Sequence, residues 1–516
     1  MKIPLSYWLI IILMRMPVLG HAQNYYSDTS TFDRAAAFYT TLEVFENGNI
    51  TAFGGASDTL HVTRPNFLAF SKRNTNDTTV IFKETLINRY FTTNSKKING
   101  KSYVLGSSSY SDSLGTIQRN TFVFKFDSLG QMLQYIKFTA RPGVTDFYMQ
   151  DLTLLYNRFY LLGYERKVVG NTQRFNLVAY IIDSASFTIQ SIKEYGLTNL
   201  DEFPNRIINS GNGRLFIGAY RTDFVNTNNT NFQTWIFEID TTGTIIKEYI
   251  SPLPGRNFGP STMIQTYDNG IQYISMRQTY QSSSNSFISQ AFMAKLNAQL
   301  QLEWDSIYGQ ESHWVAPRDM VQKTDGRFYS CGEMGFNVGT MNMYYGWLNA
   351  HSPTGSHLWQ RFYLPFGNGE LERGQLDAIR VHPDGGFVMA GQARAYGPSI
   401  LKGQHAWLLK VDSMGCLVPG CAVGIKELTP EPVYLKLWPN PAQGEAFVLY
   451  KSTQELPAAY LVLTDMLGRE RRRAPVPEME AQYHLQLFDL DAGLYMVQLW
   501  SNGRILANEK LLIYSK

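Results

Sequence analysis

Apolar and polar residues alternate along most of the chain in short runs, and the runs are separated by Asn-Gly and Asp-Gly pairs. A period of two predicts β-strands with one buried face. No segment keeps a 3.6-residue apolar period for more than about ten residues, so long amphipathic helices are not expected. The turn pairs recur in step at Asn47-Gly48, Asn99-Gly100, Asn157-Arg158, Asn212-Gly213, Asn269-Gly270, Asp325-Gly326 and Asp384-Gly385, with spacings of 52 to 59 residues. A second signal is a strand pattern that ends in a polar turn. It reads Phe122-Val-Phe-Lys-Phe-Asp127-Ser-Leu-Gly130, Trp235-Ile-Phe-Glu-Ile-Asp240-Thr-Thr-Gly243 and Trp407-Leu-Leu-Lys-Val-Asp412-Ser-Met-Gly415, with weaker copies ending at Ser71, Asp183, Asn297 and His351. The two signals share one period and one phase, which marks an internal repeat.

Each unit reads as four short strands. In the last copy the first strand is Ala378 to His382, and His382-Pro-Asp-Gly-Gly386 forms a turn. The second strand runs from Phe387 to Gly391 and the third from Trp407 to Val411, before a tight turn at Asp412 to Gly415. Asx-Gly pairs suit hairpins because glycine accepts positive φ. Four antiparallel strands repeated seven times at a period near 57 residues predict an all-β fold, a seven-bladed β-propeller over residues 23–423. One blade cannot bury its two faces alone, and packing round an axis buries them against neighbours. The fourth strand of the last unit is stopped by Cys416-Leu-Val-Pro-Gly-Cys421, so Tyr25 to Phe32 is expected to supply that strand and close the ring. Cys416 and Cys421 are expected to form a disulfide at this seam, the alternative being a pair of buried thiols. Cys331 is expected to be an inert packed thiol.

The two ends differ from the repeat. Met1 and Lys2 precede an apolar run from Leu5 to Leu19, too short to span a membrane, and Gly20-His21-Ala22 offers small residues for cleavage before Gln23. Residues 1–22 therefore read as an export signal, and the mature chain is expected to carry no transmembrane span. Residues 424–432 read as a Pro-containing linker, and 433–516 as a small β-sandwich of six short strands. Pro439 and Pro441 are expected to keep their strand extended at a sheet edge. Arg469-Glu-Arg-Arg-Arg473 is expected to be a solvated hairpin tip.

Composition removes several functional classes. Aromatic residues make up 14% of the 516 positions and charged residues only 17%, which excludes a disordered chain. A net charge of +3 gives no electrostatic case for nucleic-acid binding. Three Cys provide neither a disulfide framework nor a four-Cys zinc site. His313, His351, His357, His382 and His405 have no helical zinc spacing, and His351 and His357 are expected to be exposed beside a Pro-Thr-Gly turn. No nucleophile elbow, Walker loop or EF-hand loop is present. Asp201, Asp319 and Asp377 are placed just before first strands, where they either cap blade turns or approach the axis as a cation site. The sequence thus gives no catalytic, cofactor-binding or metal residue and no cofactor.

The last unit resembles the loosely defined Asp-Gly-Gly-Phe…Ala-Gly…Trp-x-x-Lys-x-Asp-x-x-Gly repeats of secreted bacterial propellers. In the tail, Trp438-Pro-Asn-Pro-Ala-Gln-Gly444, Thr464-Asp-Met-Leu-Gly-Arg469, Ala492-Gly-Leu-Tyr-Met-Val497 and the strand near Lys510 resemble the type A C-terminal sorting domain of the type IX secretion system of Bacteroidetes. The resemblance rests on Pro439, Asn440, Pro441, Gly444, Asp465, Gly468, Arg469, Gly493, Leu494, Tyr495 and Lys510. It implies passage across the outer membrane, removal of the tail by a sortase-like peptidase, and release or attachment at the cell surface. Asp-Ser/Thr pairs resemble the O-glycosylation sequon of the same group at Thr59, Thr78, Ser113, Ser128, Ser184, Thr241, Ser306 and Ser413, although turn formation alone also selects these residues. The expected activity is glycan or protein binding by a monomeric, non-enzymatic propeller. The rival is a polysaccharide lyase or glycosidase with its site at the axis.

Overall fold

The computed structural model describes residues 26–514 apart from 31–35, 58–65, 73–77, 83–88, 112–116, 145, 170–171, 197–199, 223–231, 252–255, 282–285, 310–313, 339–340, 367–371, 396–402, 418–432, 453–455, 457, 466–468, 477–479 and 502–503. The chain divides into two compact units, Met1–Gly335 with Tyr344–Gly420, and Phe336–Met343 with Cys421–Lys516. The described residues are all-β, and no helix among them is long and apolar enough to cross a membrane.

The first unit is a succession of four-stranded antiparallel meanders. Their innermost strands are Ala36–Val44, Arg89–Ile98, Asp146–Leu155, Asp201–Asn209, Arg256–Gln265, Val315–Gln322 and Glu372–Val381. Each lies against the next, and the seventh lies against the first, so the seven sheets form a closed ring. Neighbouring sheets touch through single parallel pairs at Ala36–Gln404 and Tyr344–Arg373. The fold is a β-propeller, with seven such sheets round the ring among the described residues. Its outermost strand in the seventh sheet is Tyr26–Ser30, antiparallel to Gly403–Val411, so the N-terminal segment closes the ring as the sequence predicts.

The apolar core lies between consecutive sheets. Leu162, Ala179 and Ile181 of the third sheet meet Ile217, Trp235 and Phe237 of the fourth, and a matching layer of Leu42, Ala52, Val388 and Leu408 joins the first sheet to the seventh. Trp407 is fully buried at the seam, and its Nε1 donates to Ser27 Oγ on the closing strand (2.9 Å). Its ring occupies the space above Gly346, where a Cβ would come within 2.6 Å. The turns after third strands are closed by acceptor side chains. Asp127 Oδ1, for example, accepts from the N–H groups of Leu129 and Gln131 (both 2.9 Å), which explains the repeated Asp at this position.

The second unit is a two-layered sandwich. Val433–Gln443, Glu445–Ser452 and Glu480–Gln486 form one layer, and Tyr460–Asp465, Glu470–Pro475, Gly493–Ser501 and Arg504–Ile513 form the other. Leu437, Val448, Tyr450, Leu463, Val497 and Leu511 are among the side chains that fill the space between them.

Two readings of this tail need correction. The prolines are not at a sheet edge. The Trp438-Pro439 and Asn440-Pro441 bonds are cis, and they lie where the strand leaves its first partner and pairs through Ala442 with Ile513 in the other layer. The basic run is not a hairpin tip but an edge strand, Glu470–Pro475, which is a seventh strand that the hydrophobic pattern does not reveal. Charged side chains on an edge discourage pairing with another chain, so polarity here is compatible with a strand.

Candidate functional site

The site is built by a repeated irregularity. Every innermost strand of the ring carries a β-bulge against its neighbour. The residues skipped in the pairing are Thr40, Thr93, Gln150, Asn205, Ser261, Arg318 and Asp377, one from each sheet, and all seven line one axial cavity of about 450 Å³. A bulge leaves one residue unpaired and redirects its side chain. The bulge needs room on the second strand. A Cβ at Gly391 would lie 1.9 Å from the carbonyl oxygen of Gln375, and one at Gly54 would lie 1.8 Å from that of Phe38. The repeated Gly at the end of the apolar run in the second strand therefore records the bulge. The sequence carries that signal as the glycine that ends the apolar run, as at Gly391.

Beneath this tier, a belt of polar side chains passes round the axis through all seven sheets. Glu43 Oε1 accepts from Ser95 Oγ (2.8 Å), which is also 2.7 Å from Thr41 Oγ1. Asn94 Nδ2 donates to Asp151 Oδ1, and Asp151 Oδ2 accepts from the Ile207 N–H (2.9 Å). Arg206 donates from Nε to Thr262 Oγ1 (2.9 Å) and from Nη2 to Asp319 Oδ1 (3.0 Å). Asp319 Oδ2 accepts from Arg380 Nη1 (2.7 Å) and the Ile379 N–H (3.2 Å), and Arg380 Nε lies 3.7 Å from Glu43. Burial alone would raise the Asp319 pKa, but the two guanidinium groups outweigh it and hold the carboxyl below the usual range. Lys96, 3.9 Å from Asp151, is pushed down from the ordinary lysine value by burial.

Asp377 behaves differently. Burial pushes its pKa up to about 6, only partly opposed by Arg318 and by a hydrogen bond from Gln375 Nε2 (2.6 Å). Arg318 Nη2 donates to Glu333 Oε1 (3.0 Å), while its Nε is 3.9 Å from Asp377, beyond hydrogen-bond reach, and has no partner. Asn205 Nδ2 donates to the Ser261 carbonyl (2.9 Å), which fixes the amide orientation and leaves Oδ1 without a partner.

The remaining sequence-selected residues fall elsewhere. Asp319 and Asp377 lie within first strands, at and beside the bulge, rather than before them. Asp201 opens its strand and binds Arg174 (3.1 Å). No group of three or more His, Cys, Asp or Glu suited to a metal occurs among the described residues. His351 is not exposed. It is fully buried with its ring 4.5 Å from that of Tyr308, and burial pushes its pKa down to about 3. The strand Met341–His351 is buried on both faces from Trp347 to His351, so the histidine is enclosed despite the adjacent turn. Cys331 is a buried free thiol and Cys416 is disulfide-bonded; Cys421 lies outside the described residues. Ser128, Ser184, Thr241 and Ser413 sit in turns after third strands, Ser306 lies in the outer strand Leu302–Tyr308, and Thr78 opens the strand Thr78–Phe82. Thr59 and Ser113 lie outside the described residues. Of the stretches 222–234 and 279–289, rich in Asn, Ser, Thr and Tyr, residues 223–231 and 282–285 lie outside the described residues.

In the sandwich, Asn440 holds the terminal strand. Its Nδ2 donates to the Lys510 carbonyl (2.6 Å) and its Oδ1 accepts from the Leu512 N–H (3.0 Å). Asp465 Oδ1 accepts from the Arg469 N–H (3.0 Å), and its Oδ2 accepts from the side chains of Arg469 (2.7 Å) and Arg471 (2.8 Å). Gly444 has φ of 76°, and Tyr495 donates from its hydroxyl to the Asp491 carbonyl (3.0 Å). Gly493 and Leu494 pair with Ile513 and Leu512 of the last strand. Pro439 and Pro441 flank Asn440, and Gly468 lies outside the described residues. These motifs thus converge on the anchoring of the terminal strand and on one hairpin. Residues 436–514 match the family model described as the secretion system C-terminal sorting domain. The C-terminal unit is a sorting domain. It marks the chain for export by the type IX secretion machinery, to the cell surface or beyond.

No curated protein sequence matches the chain. Among solved structures, the chain is similar to a protein of unknown function from Dyadobacter fermentans (8% identity, 64% of this chain and 94% of that one, TM-score 0.42). It is also similar to the β-propeller domain of the Trilobed protease from Pyrococcus furiosus (9% identity, 72% and 95%, TM-score 0.37). A third is an α-L-arabinofuranosidase from Fusarium graminearum in complex with an iminosugar inhibitor (11% identity, 77% and 98%, TM-score 0.39).

Proposed function

We propose that the exported ring is a non-enzymatic glycan-binding module and that its axial cavity is the binding site. The observation that carries this reading is the bulge tier. Five of its seven side chains are uncharged hydroxyls or amides, from Thr40, Thr93, Gln150, Asn205 and Ser261, the chemistry that exchanges hydrogen bonds with a polyhydroxylated ligand. Phe38 and Tyr148 add apolar surface, and about 450 Å³ is within the usual range of small-ligand pockets. Glycoside hydrolysis by the usual route needs two carboxyl groups free to act on one bond. Here Asp319 is consumed by two arginines and a backbone N–H, which leaves Asp377 as the carboxyl in the cavity lining without an arginine within hydrogen-bond distance.

On this reading, residues 1–22 are cleaved on export, 23–423 form the binding ring, 424–432 are a linker, and 433–516 are removed by a sortase-like peptidase. Cys416 pairs with Cys421, the exposed Asp-Ser/Thr turns accept O-glycans, and the product acts as a monomer at the surface of a Bacteroidetes cell. The test is calorimetric titration of the full chain with a panel of neutral and acidic oligosaccharides, with release of reducing or unsaturated ends measured in parallel. Saturable binding without bond cleavage supports the module. Turnover that depends on Asp377 replaces it with the enzyme.

A further inference from the structure

Two residues that line the axial cavity carry buried hydrogen-bonding atoms of opposite kind with no partner. Asn205 is 9% exposed, and its Oδ1 faces no donor. Its amide cannot be turned to remedy this, because Nδ2 is committed to the Ser261 carbonyl. Arg318 is the second case: its side chain is 39% exposed in the cavity lining, although its Nε, which donates to nothing, is itself buried. A buried acceptor asks for a hydroxyl donor, and a partly exposed guanidinium asks for an anion.

We infer that the axial cavity selects a sugar acid, with the ligand carboxylate on Arg318 and a ring hydroxyl on Asn205 Oδ1. This rests on the glycan-binding reading and sharpens it to a uronic-acid class of residue. The other charges leave this role to Arg318. Arg206 and Asp319, which also line the cavity, are bonded to each other. Glu333 is 1% exposed and shared between Arg318 and Arg373, so it holds one edge of the guanidinium in place rather than occupying the cavity. Asp377 is the obstacle, since a carboxylate ligand on Arg318 arrives beside it.

The groups that face Asp377 are Arg318 and Glu333 from the sixth sheet and Arg373 and Gln375 from its own strand. Gln375 donates to it, but the Arg318 contact is 3.9 Å long, so no cation bonds to it directly among the described residues. A second carboxylate at this point favours the protonated form of Asp377, whose pKa already stands near 6. Protonated, Asp377 becomes a donor to the incoming carboxylate. Binding of a sugar acid above that pH is therefore coupled to proton uptake, and binding of a neutral sugar is not.

The experiment titrates the full chain with D-glucuronate and with D-glucose at about pH 7.5, in two buffers of different ionisation enthalpy. Glucuronate is expected to bind at least about tenfold more tightly than glucose. Its heat should differ between buffers by an amount corresponding to a fraction of a proton up to about one proton taken up. Arg318→Gln should bring the glucuronate-to-glucose ratio to near one, and Arg318→Lys, which retains charge but not the fork, should restore it only in part. Asp377→Asn should abolish the buffer dependence and tighten glucuronate binding. The wild-type buffer comparison needs no variant, so a poorly folded substitution does not decide the outcome. Equal affinities for the two sugars without proton uptake overturn the sugar-acid inference and leave the glycan reading standing. Failure of both sugars and of every oligosaccharide in the panel overturns both.

Discussion

Replacing Asp377 with Asn should stabilise the ring at neutral pH. The carboxyl sits in the axial cavity with about 15% of its surface exposed, and burial moves its pKa from about 3.9 in an unfolded chain to about 6. The sign follows from proton binding. Between these two values the folded state holds more proton than the unfolded state, so stability falls as pH rises through the window from about 4 to about 6. The group costs nothing below the lower value and its full penalty above the upper one. A shift of about two units corresponds to about 3 kcal/mol, and partial solvent access reduces this to about 2 kcal/mol. Asn preserves the shape and accepts from Gln375, but never has to ionise. For a ring of roughly 400 residues, about 2 kcal/mol moves the melting temperature by about 2–3 °C. The assay is differential scanning calorimetry of wild type and variant at about pH 4 and about pH 7.5, read as a difference so that other titrating groups cancel. The variant should gain at pH 7.5 and match wild type at pH 4. A variant that melts lower than wild type at pH 7.5, or that gains equally at both pH values, refutes the account of Asp377.

Asp319→Asn leaves Arg206 largely buried without its counter-charge and Arg380 with only the longer contact to Glu43, and a loss of about 3–5 kcal/mol is expected, read from the shift of the chemical-denaturation midpoint. Trp407→Phe removes the bond to Ser27 Oγ and part of the ring's packing, so amide exchange in Tyr26–Ser30 should accelerate, with about 1–3 kcal/mol lost from the seam. Gly391→Ala places a Cβ 1.9 Å from the Gln375 carbonyl, which should cost at least about 1–3 kcal/mol and show as increased proteolysis of the seventh sheet. Asn440→Ala cuts both clips to the terminal strand, and about 1–3 kcal/mol less protection is expected across Lys510–Ile513 by hydrogen exchange.

The strands, the propeller architecture and the closing segment were legible because each depends on local chemistry. Asn-Gly and Asp-Gly pairs mark the first turns, Asp at 127, 240 and 412 ties the second turns, and alternation marks the strands between them. The sorting domain was legible because Asn440, Asp465 and Tyr495 each have a fixed hydrogen-bonding task within a short span of sequence. The axial site was not legible. Its residues come from seven strands about 57 positions apart, and hydrophobic pattern alone does not locate a bulge. Arg206 and Asp319 are 113 residues apart in sequence, so no spacing rule connects them. The basic edge strand is not legible for a different reason: Ala474 is its single buried position, so no apolar alternation marks it.

The bulge also explains why divergence can concentrate at the axis. The position opposite each bulge is small in every sheet, being Gly54, Gly106, Gly163, Ala219, Ser275, Gly332 and Gly391, because the displaced carbonyl needs that space. The bulged position itself has no ladder partner, and its side chain projects into a cavity, so neither pairing nor core packing selects its identity. It is accordingly occupied by Thr40, Thr93, Gln150, Asn205, Ser261, Arg318 and Asp377, six residue types in seven places. One tier below, the belt of Glu43, Asp151, Arg206, Asp319 and Arg380 ties neighbouring sheets together, and changes there leave buried charges unpaired. A seven-fold scaffold thus holds one freely variable layer directly above one highly constrained layer. Substitutions that alter ligand choice should be tolerated in the upper layer and rejected in the lower, a contrast that a saturation scan of Thr40 to Glu43 and Arg318 to Met320 would display within single strands.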